Sequence, residues 1–217
     1  MRAPWAIVCD FDGTALSLDL GDAVATELGD PIAFEHAEAR YAAGELSFGH
    51  LLQHVFAPVR ASREEIAAFA RARAAWRPGF QAFLEQCRAG GAPFLIVSSG
   101  LDAYIEPVIA DLPRPLRDHV QLRANRATCN VAGLSIEFHG QDCGHCGFCK
   151  GHVVQELQAR GHRVAALGDG SGDRHAAQAA DHVFARAGSS LDRWCEATGL
   201  AHDSFETFFE VIERFPG

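Results

Sequence analysis

Two aspartates stand where the first apolar segment of the sequence ends. Residues 5–9 have the short apolar pattern of a buried strand, and the segment Asp-Phe-Asp-Gly-Thr follows at 10–14. Because Asp10 and Asp12 are two residues apart, an extended backbone would point both carboxylates in the same direction. Such a pair is compatible with an ordinary turn or with a role in metal binding and catalysis.

Polar residues also follow two later apolar segments. Ser98 comes directly after residues 94–97, and Asp169 and Asp173 follow residues 164–167. The carboxyl ends of parallel strands meet at one edge of a sheet, so these side chains are expected to converge with the first pair of aspartates. Each of them alone is typical of a turn or a loop. Their combination in this order predicts a functional site.

The predicted chemistry of this site is that of a divalent cation and a phosphate group. Converging carboxylates repel each other unless a cation joins them, and hard oxygen ligands with room for water suit Mg²⁺. Ser98, Lys150 at the predicted start of a helix, and glycine-rich backbone N–H groups could then hold a phosphate. Taken alone, Lys150 would be interpreted as a solvated charge.

The elements that must position these residues form an α/β pattern. Short apolar strands separated by helices predict βαβ crossovers and a Rossmann-like parallel sheet. Residues 15–77 break this rhythm, because they are alanine-rich, have helical periodicity, and contain the capping-box pattern Ser62-x-x-Glu65. We therefore expect an α/β core at 1–14 and 78–217, with an inserted helical cap at 15–77 over the ligand-binding edge of the sheet.

Several local elements are predicted in more detail. Residues 98–100, Ser-Ser-Gly, have the composition of a turn, and residues 120–128 and 134–138 are expected to form two strands of a hairpin. The last helix is predicted to open at a capping box formed by Asp203 and Glu206. Arg71, Arg73 and Arg77 are interpreted as a solvated helix face.

Composition and charge exclude several classes of protein. The 217 residues are 48% hydrophobic and 22% charged, which is ordinary for a globular chain and excludes wholesale disorder. A net charge of −9 argues against nucleic acid or an anionic membrane as the main partner. The sequence offers no apolar run of the roughly 18–20 residues that a bilayer crossing needs and no signal-peptide core. Seven cysteines, an odd number, then favour a reduced cytoplasmic setting.

A cysteine-rich loop provides a second candidate site. Cys143, Cys146 and Cys149 have the two-residue spacing of zinc knuckles and iron–sulfur loops, but a fourth ligand is missing nearby. Structural Zn²⁺, packed thiols and a reversible disulfide all remain open. The candidates for a fourth zinc ligand are Cys129, His139, His145 and His152. Other histidines, namely His50, His54 and His175, have no ligand spacing, and Cys9, Cys87 and Cys195 are assigned to the core.

The motifs together resemble those of the haloacid dehalogenase (HAD) superfamily. The segment at 10–14, then Ser98, Lys150 and Gly168-Asp169-x-x-x-Asp173 are similar to its four motifs and stand in the same order. The helical insert resembles the cap of the phosphoserine-phosphatase-like branch. The segments Cys143-x-x-Cys146-x-x-Cys149-Lys150 and Phe184-Ala185-Arg186 resemble the MtnX-like phosphatases, a group named for an enzyme that dephosphorylates 2-hydroxy-3-keto-5-methylthiopentenyl-1-phosphate in methionine salvage.

The resemblance implies a role for each motif residue. Asp10 would be the nucleophile that forms an aspartyl phosphate, and Asp12 would be the general acid and base. Ser98 and Lys150 would bind the phosphoryl oxygens, with help from two backbone N–H groups, those of Ser99 and Gly100. Mg²⁺ would be held by Asp10, the backbone carbonyl of Asp12, and Asp169, with Asp173 fixing the water shell of the metal.

These roles predict a Mg²⁺-dependent phosphatase acting on a small phosphorylated metabolite in the cytoplasm. The substrate could be the methylthiopentenyl enol phosphate, phosphoserine or another small phosphate ester. Asp19 either contacts the substrate or is an exposed acid at the start of a helix. The alternative in a different class is a non-enzymatic zinc or redox module built on the cysteine loop.

Overall fold

A sheet of seven strands forms the centre of the protein. The computed structural model describes residues 3–130, 132–139, 143, 146 and 148–216. Within these residues the spatial order of the strands is β4-β3-β2-β1-β5-β6-β7, and neighbouring strands are parallel except for the antiparallel pair β3 and β4. The strands are β1 (Trp5–Cys9), β2 (Phe94–Leu101), β3 (Val120–Asn130), β4 (Gly133–Glu137), β5 (Arg163–Gly168), β6 (His182–Arg186) and β7 (Asp203–Phe205). This order confirms the predicted α/β fold and the hairpin.

Helices connect the strands and cover the sheet. In the described part of the chain, none of them combines the length and the apolar character that crossing a membrane requires. They are α1 (Leu20–Glu27), α2 (Pro31–Ala42), α3 (Phe48–Phe56), α4 (Arg63–Arg73), α5 (Phe80–Ala89), α6 (Asp102–Ala110), α7 (Arg114–Arg117), α8 (Lys150–Ala159), α9 (Arg174–Ala179), α10 (Ser190–Thr198) and α11 (Phe208–Arg214). Both halves of the capping box predicted from Ser62 and Glu65 are present at the start of α4.

Five helices, α1 to α5, lie between β1 and β2 along the chain, and the first four of them form the insert that precedes Ala75. The segment that leads into the insert and the segment that returns from it are hydrogen-bonded to each other. The N–H of Ser17 donates to the carbonyl of Ala75 at 2.9 Å, and the N–H of Arg77 donates to the carbonyl of Ala15 at 2.8 Å. The two connecting segments therefore run side by side, close to the end of β1.

The central strands are buried on both faces of the sheet. Ile7 and Cys9 of β1 belong to the main apolar cluster, whereas Ala6 and Val8 belong to a second cluster on the other face. A strand covered on both faces has a continuous apolar sequence, which is why residues 5–9 lack alternation. Burial fixes the orientation of the strand and places the polar residues that follow it at the carboxyl edge of the sheet.

The Ser-Ser-Gly segment at 98–100 is not a turn, so this prediction is wrong. Strand β2 continues through it to Leu101. The pairing of β2 with β3 shifts register between Val97 and Leu101, which is the irregularity expected where small residues interrupt a strand. Strand β2 resumes its pairing with β3 at Leu101, opposite Asn125, and this pairing keeps the segment extended despite its turn-like composition.

The capping box predicted at Asp203 is also wrong. Asp203–Phe205 forms the edge strand β7, and the Asp203 carboxylate accepts a hydrogen bond from His182 Nε2 at 2.9 Å. Helix α11 begins after Thr207, where Thr207 and Glu210 form the box instead. Two consecutive patterns, at 203–206 and 207–210, have the correct spacing, and pairing with β6 takes the start of the first into the sheet.

Candidate active site

The loop that follows β1 presents the first two aspartates. Between Phe11 and Ala15 the backbone turns sharply, and Gly13 has a φ of +66°. A Cβ atom added to Gly13 would lie 2.5 Å from Asp169 Oδ2. Glycine is therefore required both by the left-handed backbone and by the close approach of Asp169.

Arg77 holds this loop through its guanidinium group. Its Nε donates to the carbonyl of Thr14 at 2.8 Å, and its Nη2 donates to the carbonyl of Gly13 at 2.5 Å and to that of Leu16 at 3.2 Å. Its Nη1 donates to the carbonyl of Glu206 at 3.2 Å, which ties the loop to the segment before α11. A guanidinium group can donate in several directions at once, so one side chain fixes the turn after Asp12.

The prediction of a solvated arginine face is thus wrong for Arg77 and correct for its two neighbours. Helix α4 ends at Arg73, so Arg77 lies in the returning segment and not on the helix. Arg71 and Arg73 are exposed and form surface ion pairs with Asp111 and Glu27 respectively.

A buried ion-pair triad lies at the end of β1. Lys150 Nζ donates to Asp10 Oδ1 at 2.5 Å and to Asp173 Oδ1 at 2.6 Å. Lys150 is 3% exposed, Asp10 8% and Asp173 4%. Burial, followed by the charge of Asp173, raises the pKa of Asp10 well above its usual range, while Lys150 acts in the opposite direction. Lys150 comes from the first position of α8, which brings a distant part of the sequence to this edge.

Asp169 provides the third carboxylate of the acidic cluster, next to Asp10 and Asp173. Asp173 Oδ2 accepts the backbone N–H groups of Asp169 at 3.0 Å and Gly170 at 2.9 Å, and Thr14 Oγ1 donates to Asp169 Oδ1 at 2.9 Å. Asp10, Asp169 and Asp173 each offer an oxygen within 4.8 Å of the others. Three carboxylates and one ammonium leave an excess of negative charge, so these residues fit a divalent cation with oxygen ligands.

Asp12 is held by a separate pair of donors. The N–H of Leu20 donates to Asp12 Oδ1 at 2.9 Å, and the hydroxyl of Tyr104 donates to Asp12 Oδ2 at 2.7 Å. Burial, followed by the charge of Asp19, raises the pKa of Asp12 to about 8. The sequence gives no sign of Tyr104, because it stands inside α6 among apolar neighbours and belongs to no motif.

The small residues at the end of β2 lie beside this acidic cluster. Ser98 Oγ accepts the N–H of Gly100 at 2.9 Å. Ser99 Oγ is buried and has no hydrogen-bond partner in the described part of the chain, although it lies at the wall of the cleft. The family motif implies a role only for the backbone N–H of Ser99, so its hydroxyl is an additional candidate donor.

These residues line one cleft of about 270 Å³ between the sheet edge and the inserted helices. One wall is apolar and comes from α2 and α3. Among the described residues that line the cleft, Lys150 is the single lysine or arginine. The apolar wall consists of Phe34, Phe48, Leu51, Leu52 and Val55, with Tyr41 beside it.

Asp19 lies at the mouth of the same cleft, together with Asp22 and Glu38. The Asp19 side chain also accepts the N–H of Asp22 at 2.8 Å and caps the start of α1. The two interpretations made from the sequence are therefore compatible, since one residue both starts the helix and lines the cleft.

The cysteine loop is close to the site but distinct from it. The sulfur atoms of its three described cysteines converge on Nδ1 of His175, at 3.7 Å from Cys143, 3.4 Å from Cys146 and 3.5 Å from Cys149. Spacing along the sequence does not group His175 with the cysteines, whereas the structure places it beside them. Of the four candidates for a fourth ligand, Cys129, His139 and His152 are outside this group, and His145 lies outside the described residues. Cys9, Cys87 and Cys195 are buried, as predicted.

The fold and the motif positions agree with a match to a known family. The sequence model of the haloacid dehalogenase-like hydrolases matches residues 7–178. The chain belongs to this family, and its curated relatives identify it as a phosphatase of the family.

Two curated relatives match nearly the whole chain. The 2-hydroxy-3-keto-5-methylthiopentenyl-1-phosphate phosphatase of Exiguobacterium sibiricum is 32% identical over 213 residues, which are 96% of this chain and 94% of that protein. The protein of the same name from Brevibacillus brevis is 30% identical and covers 98% of this chain and 95% of its own length. The resemblance to the MtnX-like group is thereby confirmed.

Solved structures confirm the fold. A phospho-aspartyl intermediate analogue of phosphoserine phosphatase superposes with a TM-score of 0.72 at 16% identity, covering 98% of this chain and 99% of that chain. An HAD family hydrolase from Salmonella enterica serovar Typhi superposes with a TM-score of 0.76 at 19% identity, covering 98% of this chain and 71% of that chain.

Proposed function

We propose that the protein is a Mg²⁺-dependent phosphomonoester hydrolase that works through an aspartyl phosphate on Asp10. The observation that carries this proposal is the buried triad of Lys150, Asp10 and Asp173 at the end of β1, beside Asp169. Such a site would be costly to bury for structure alone, because a buried ion pair seldom stabilises a fold.

The first step is attack of a carboxylate oxygen of Asp10 on phosphorus. The new bond joins Asp10 to the phosphoryl group, and the bond between phosphorus and the oxygen of the leaving group breaks. Lys150 assists this attack in two ways. Its ammonium orients Asp10 through a hydrogen bond of 2.5 Å, and it can neutralise the negative charge of the phosphoryl oxygens.

Asp12 moves the proton in both steps. With its pKa raised to about 8 by burial, the carboxyl is largely protonated near neutral pH and can donate its proton to the leaving oxygen. In the second step the ionised carboxylate accepts a proton from water as that water attacks phosphorus, and the bond to Asp10 breaks to release phosphate. Tyr104 and the N–H of Leu20 keep the carboxyl oriented during both transfers.

Mg²⁺ would be held by Asp10 and Asp169, with the backbone carbonyl of Asp12 as a further ligand. Asp173 already accepts two N–H groups through Oδ2 and Lys150 through Oδ1, so we assign it to the water shell of the metal. When bound, the cation supplies the positive charge that keeps Asp10 ionised and neutralises the phosphate.

The phosphoryl group would be bound by the small residues at the end of β2. The Ser98 hydroxyl and the N–H groups of Ser99 and Gly100 are the donors implied by the family motif. To these we add the Ser99 hydroxyl, because it is buried at the cleft wall and lacks a partner among the described residues. A donor of this kind is stabilised when a phosphoryl oxygen arrives.

The inserted segment at 15–77 would act as the cap of the active site, over a core formed by 1–14 and 78–217. Helices α2 and α3 contribute one wall of the cleft, while the catalytic residues come from the sheet edge. Closing the insert over the sheet would exclude bulk water during turnover, and opening it would admit substrate.

The cleft favours a substrate whose tail is small, apolar and free of carboxylate. The wall from α2 and α3 is aliphatic and aromatic, and the mouth carries Asp19, Asp22 and Glu38. A substrate carboxylate would face these acids, and the single described lysine or arginine of the cleft lining, Lys150, is already paired with Asp10 and Asp173. A methylthio tail would instead bury apolar surface on the wall. The enol phosphate named for the curated relatives has these properties.

Phosphoserine is the second candidate substrate. Its ammonium could pair with the acids at the mouth of the cleft, but its carboxylate would lack a cationic partner there. The non-enzymatic zinc or redox module is disfavoured, because the catalytic residues are complete and already converge. We assign the protein to the cytoplasm, with a small phosphorylated metabolite as its partner.

Phosphate release from a panel of monoesters tests the proposal. The panel contains the methylthiopentenyl enol phosphate, phosphoserine and several sugar phosphates, each with Mg²⁺ and with EDTA. We expect Mg²⁺-dependent turnover with the highest kcat/KM for the enol phosphate, and none from Asp10→Asn. A preference for phosphoserine would overturn the substrate assignment alone, and Mg²⁺-independent release by both proteins would overturn the mechanism.

A further inference from the structure

The three cysteines of the loop at 143–149 surround one imidazole nitrogen. Cys143, Cys146 and Cys149 place their sulfur atoms 3.4 to 3.7 Å from Nδ1 of His175. An imidazole nitrogen has one lone pair or one proton, so it can form a hydrogen bond with one sulfur along one direction. Three sulfurs at similar distances from the same atom therefore indicate a shared centre and not three hydrogen bonds.

The spacing of these four atoms matches one tetrahedral metal ion. With a zinc–sulfur bond of about 2.3 Å and a zinc–nitrogen bond of about 2.0 Å, a tetrahedral angle separates sulfur from nitrogen by about 3.5 Å. The distances of 3.4, 3.5 and 3.7 Å agree with this value. All four ligand atoms lie within 4.8 Å of one another, so they can share a single ion.

Two of the three cysteines are buried in the fold. Cys146 is 2% exposed and Cys149 is 5% exposed, and Phe148 between them packs into the second apolar cluster. A Cβ on Gly151 would lie 2.9 Å from the carbonyl oxygen of His175. The start of α8 can therefore approach His175 closely only because residue 151 is glycine.

We propose that Cys143, Cys146, Cys149 and His175 form a structural Zn²⁺ site that joins the start of α8 to α9. Four protein ligands of this kind are typical of a closed, structural zinc site, with no position left for substrate. The ligands are also next to catalytic residues in the chain. Cys149 directly precedes Lys150, and His175 follows Asp173 by two residues.

This placement gives the metal a positioning role. Lys150 and Asp173 are the two ends of an ion pair 2.6 Å long, and each is carried by a segment that the zinc would fix. Binding to a site that requires both segments stabilises the folded arrangement of the two relative to each other. Loss of zinc would thus loosen the triad without removing any of its side chains.

The metal content of the purified full-length chain tests the proposal. The protein is prepared with its tag removed and its thiols reduced, without chelator, and its zinc is measured by plasma mass spectrometry. We expect about one zinc per chain. After removal of zinc, Co²⁺ should give the visible bands of a tetrahedral ion and a near-ultraviolet band from thiolate ligands.

Matched variants locate the metal. Cys146→Ser and His175→Ala should lose the zinc and the cobalt spectrum, whereas the controls Cys129→Ser and His152→Ala should keep both. Circular dichroism checks that each variant is folded. A reduced wild-type chain that takes up neither Zn²⁺ nor Co²⁺ overturns the proposal without any variant. Zinc retained in full by Cys146→Ser and His175→Ala overturns it too, as does a disulfide among the three cysteines in protein isolated under alkylating conditions.

The positioning role has its own test. Zinc-free wild-type protein is assayed after Mg²⁺ is restored, so that any loss comes from the cysteine site. We expect kcat to fall at least tenfold with a smaller change in KM, and to recover when zinc is added back. An unchanged kcat in zinc-free protein would overturn the positioning role.

Discussion

Replacing Arg77 with alanine removes the clamp on the loop that carries Asp12. The guanidinium donates to four backbone carbonyl oxygens, two of which belong to the residues directly after Asp12. At roughly 0.5–1 kcal/mol net for each bond, since the group is partly exposed and water can replace some donors, Arg77→Ala should cost about 2–4 kcal/mol of unfolding free energy.

Arg77→Ala should change kcat more than it changes KM. A displacement of about 1 Å in a catalytic group can reduce the rate by roughly 10²-fold. Because the loop also positions Asp10, we expect kcat to fall about 10- to 100-fold, with little change in KM. Urea unfolding and steady-state phosphate release, both with saturating Mg²⁺, measure the two quantities.

Arg73→Ala is the matched control. Arg73 is exposed at the end of α4 and forms a surface ion pair with Glu27, so its loss should change stability by at most about 1 kcal/mol and leave kcat close to wild type. If Arg77→Ala had the kcat and the stability of Arg73→Ala, the assignment of Arg77 as a positioning residue would be refuted.

Three further substitutions probe residues that touch the site. The Tyr104 hydroxyl favours the ionised form of Asp12, so Tyr104→Phe should raise the pKa of Asp12 further. The alkaline limb of the pH profile of kcat/KM should then move up by about one pH unit. A downward shift of this limb would contradict the assigned role of Tyr104. Ser99→Ala should raise KM several-fold and leave the unfolding free energy nearly unchanged, because the lost hydroxyl has no described partner before substrate binds; an unchanged KM would remove the hydroxyl from the binding site. Gly100→Ala places a Cβ against the Tyr104 hydroxyl and should destabilise the fold by about 1–3 kcal/mol in thermal unfolding, and a neutral effect would show that the cleft has room there.

The sequence predicts most of the residues that we assign to catalysis because they lie at or near the carboxyl ends of buried apolar strands. Asp10 and Asp169 directly follow β1 and β5, Ser98 lies in the last part of β2, and the parallel topology brings these strand ends to one edge. Strand ends can be located from apolar patterning, so the approximate positions of these residues follow from the sequence and from the rules of α/β folds.

Residues that act through tertiary contacts could not be found in this way. Tyr104 lies on α6 and reaches Asp12 across 92 positions, and Arg77 bonds to the backbone of a loop more than 60 positions away. Neither contact leaves a periodic or motif signal. His175 is similar, because its relation to the cysteines depends on how closely α8 and α9 approach each other.

Local patterns failed where two structures competed for the same residues. The Ser-Ser-Gly segment at 98–100 prefers a turn when considered alone, yet it stays extended within β2, which pairs with β3 before it at Val97 and after it at Leu101. Asp203 has the spacing of a helix cap, and hydrogen bonding to β6 makes it an edge strand. The propensity of a segment for a turn or a helix cap depends on a few neighbouring residues. Its place in a strand depends on hydrogen bonding and packing across the whole sheet.

The proposed mechanism depends most directly on Asp10 as the nucleophile. Wild-type protein and Asp10→Asn are mixed with the preferred phosphate ester and Mg²⁺, quenched in acid within one turnover, and digested for mass spectrometry. We expect a phosphoryl group on the peptide that contains Asp10 in the wild type, and neither phosphopeptide nor phosphate release in the folded Asp10→Asn variant. Phosphate release by Asp10→Asn at a rate comparable to wild type would contradict it.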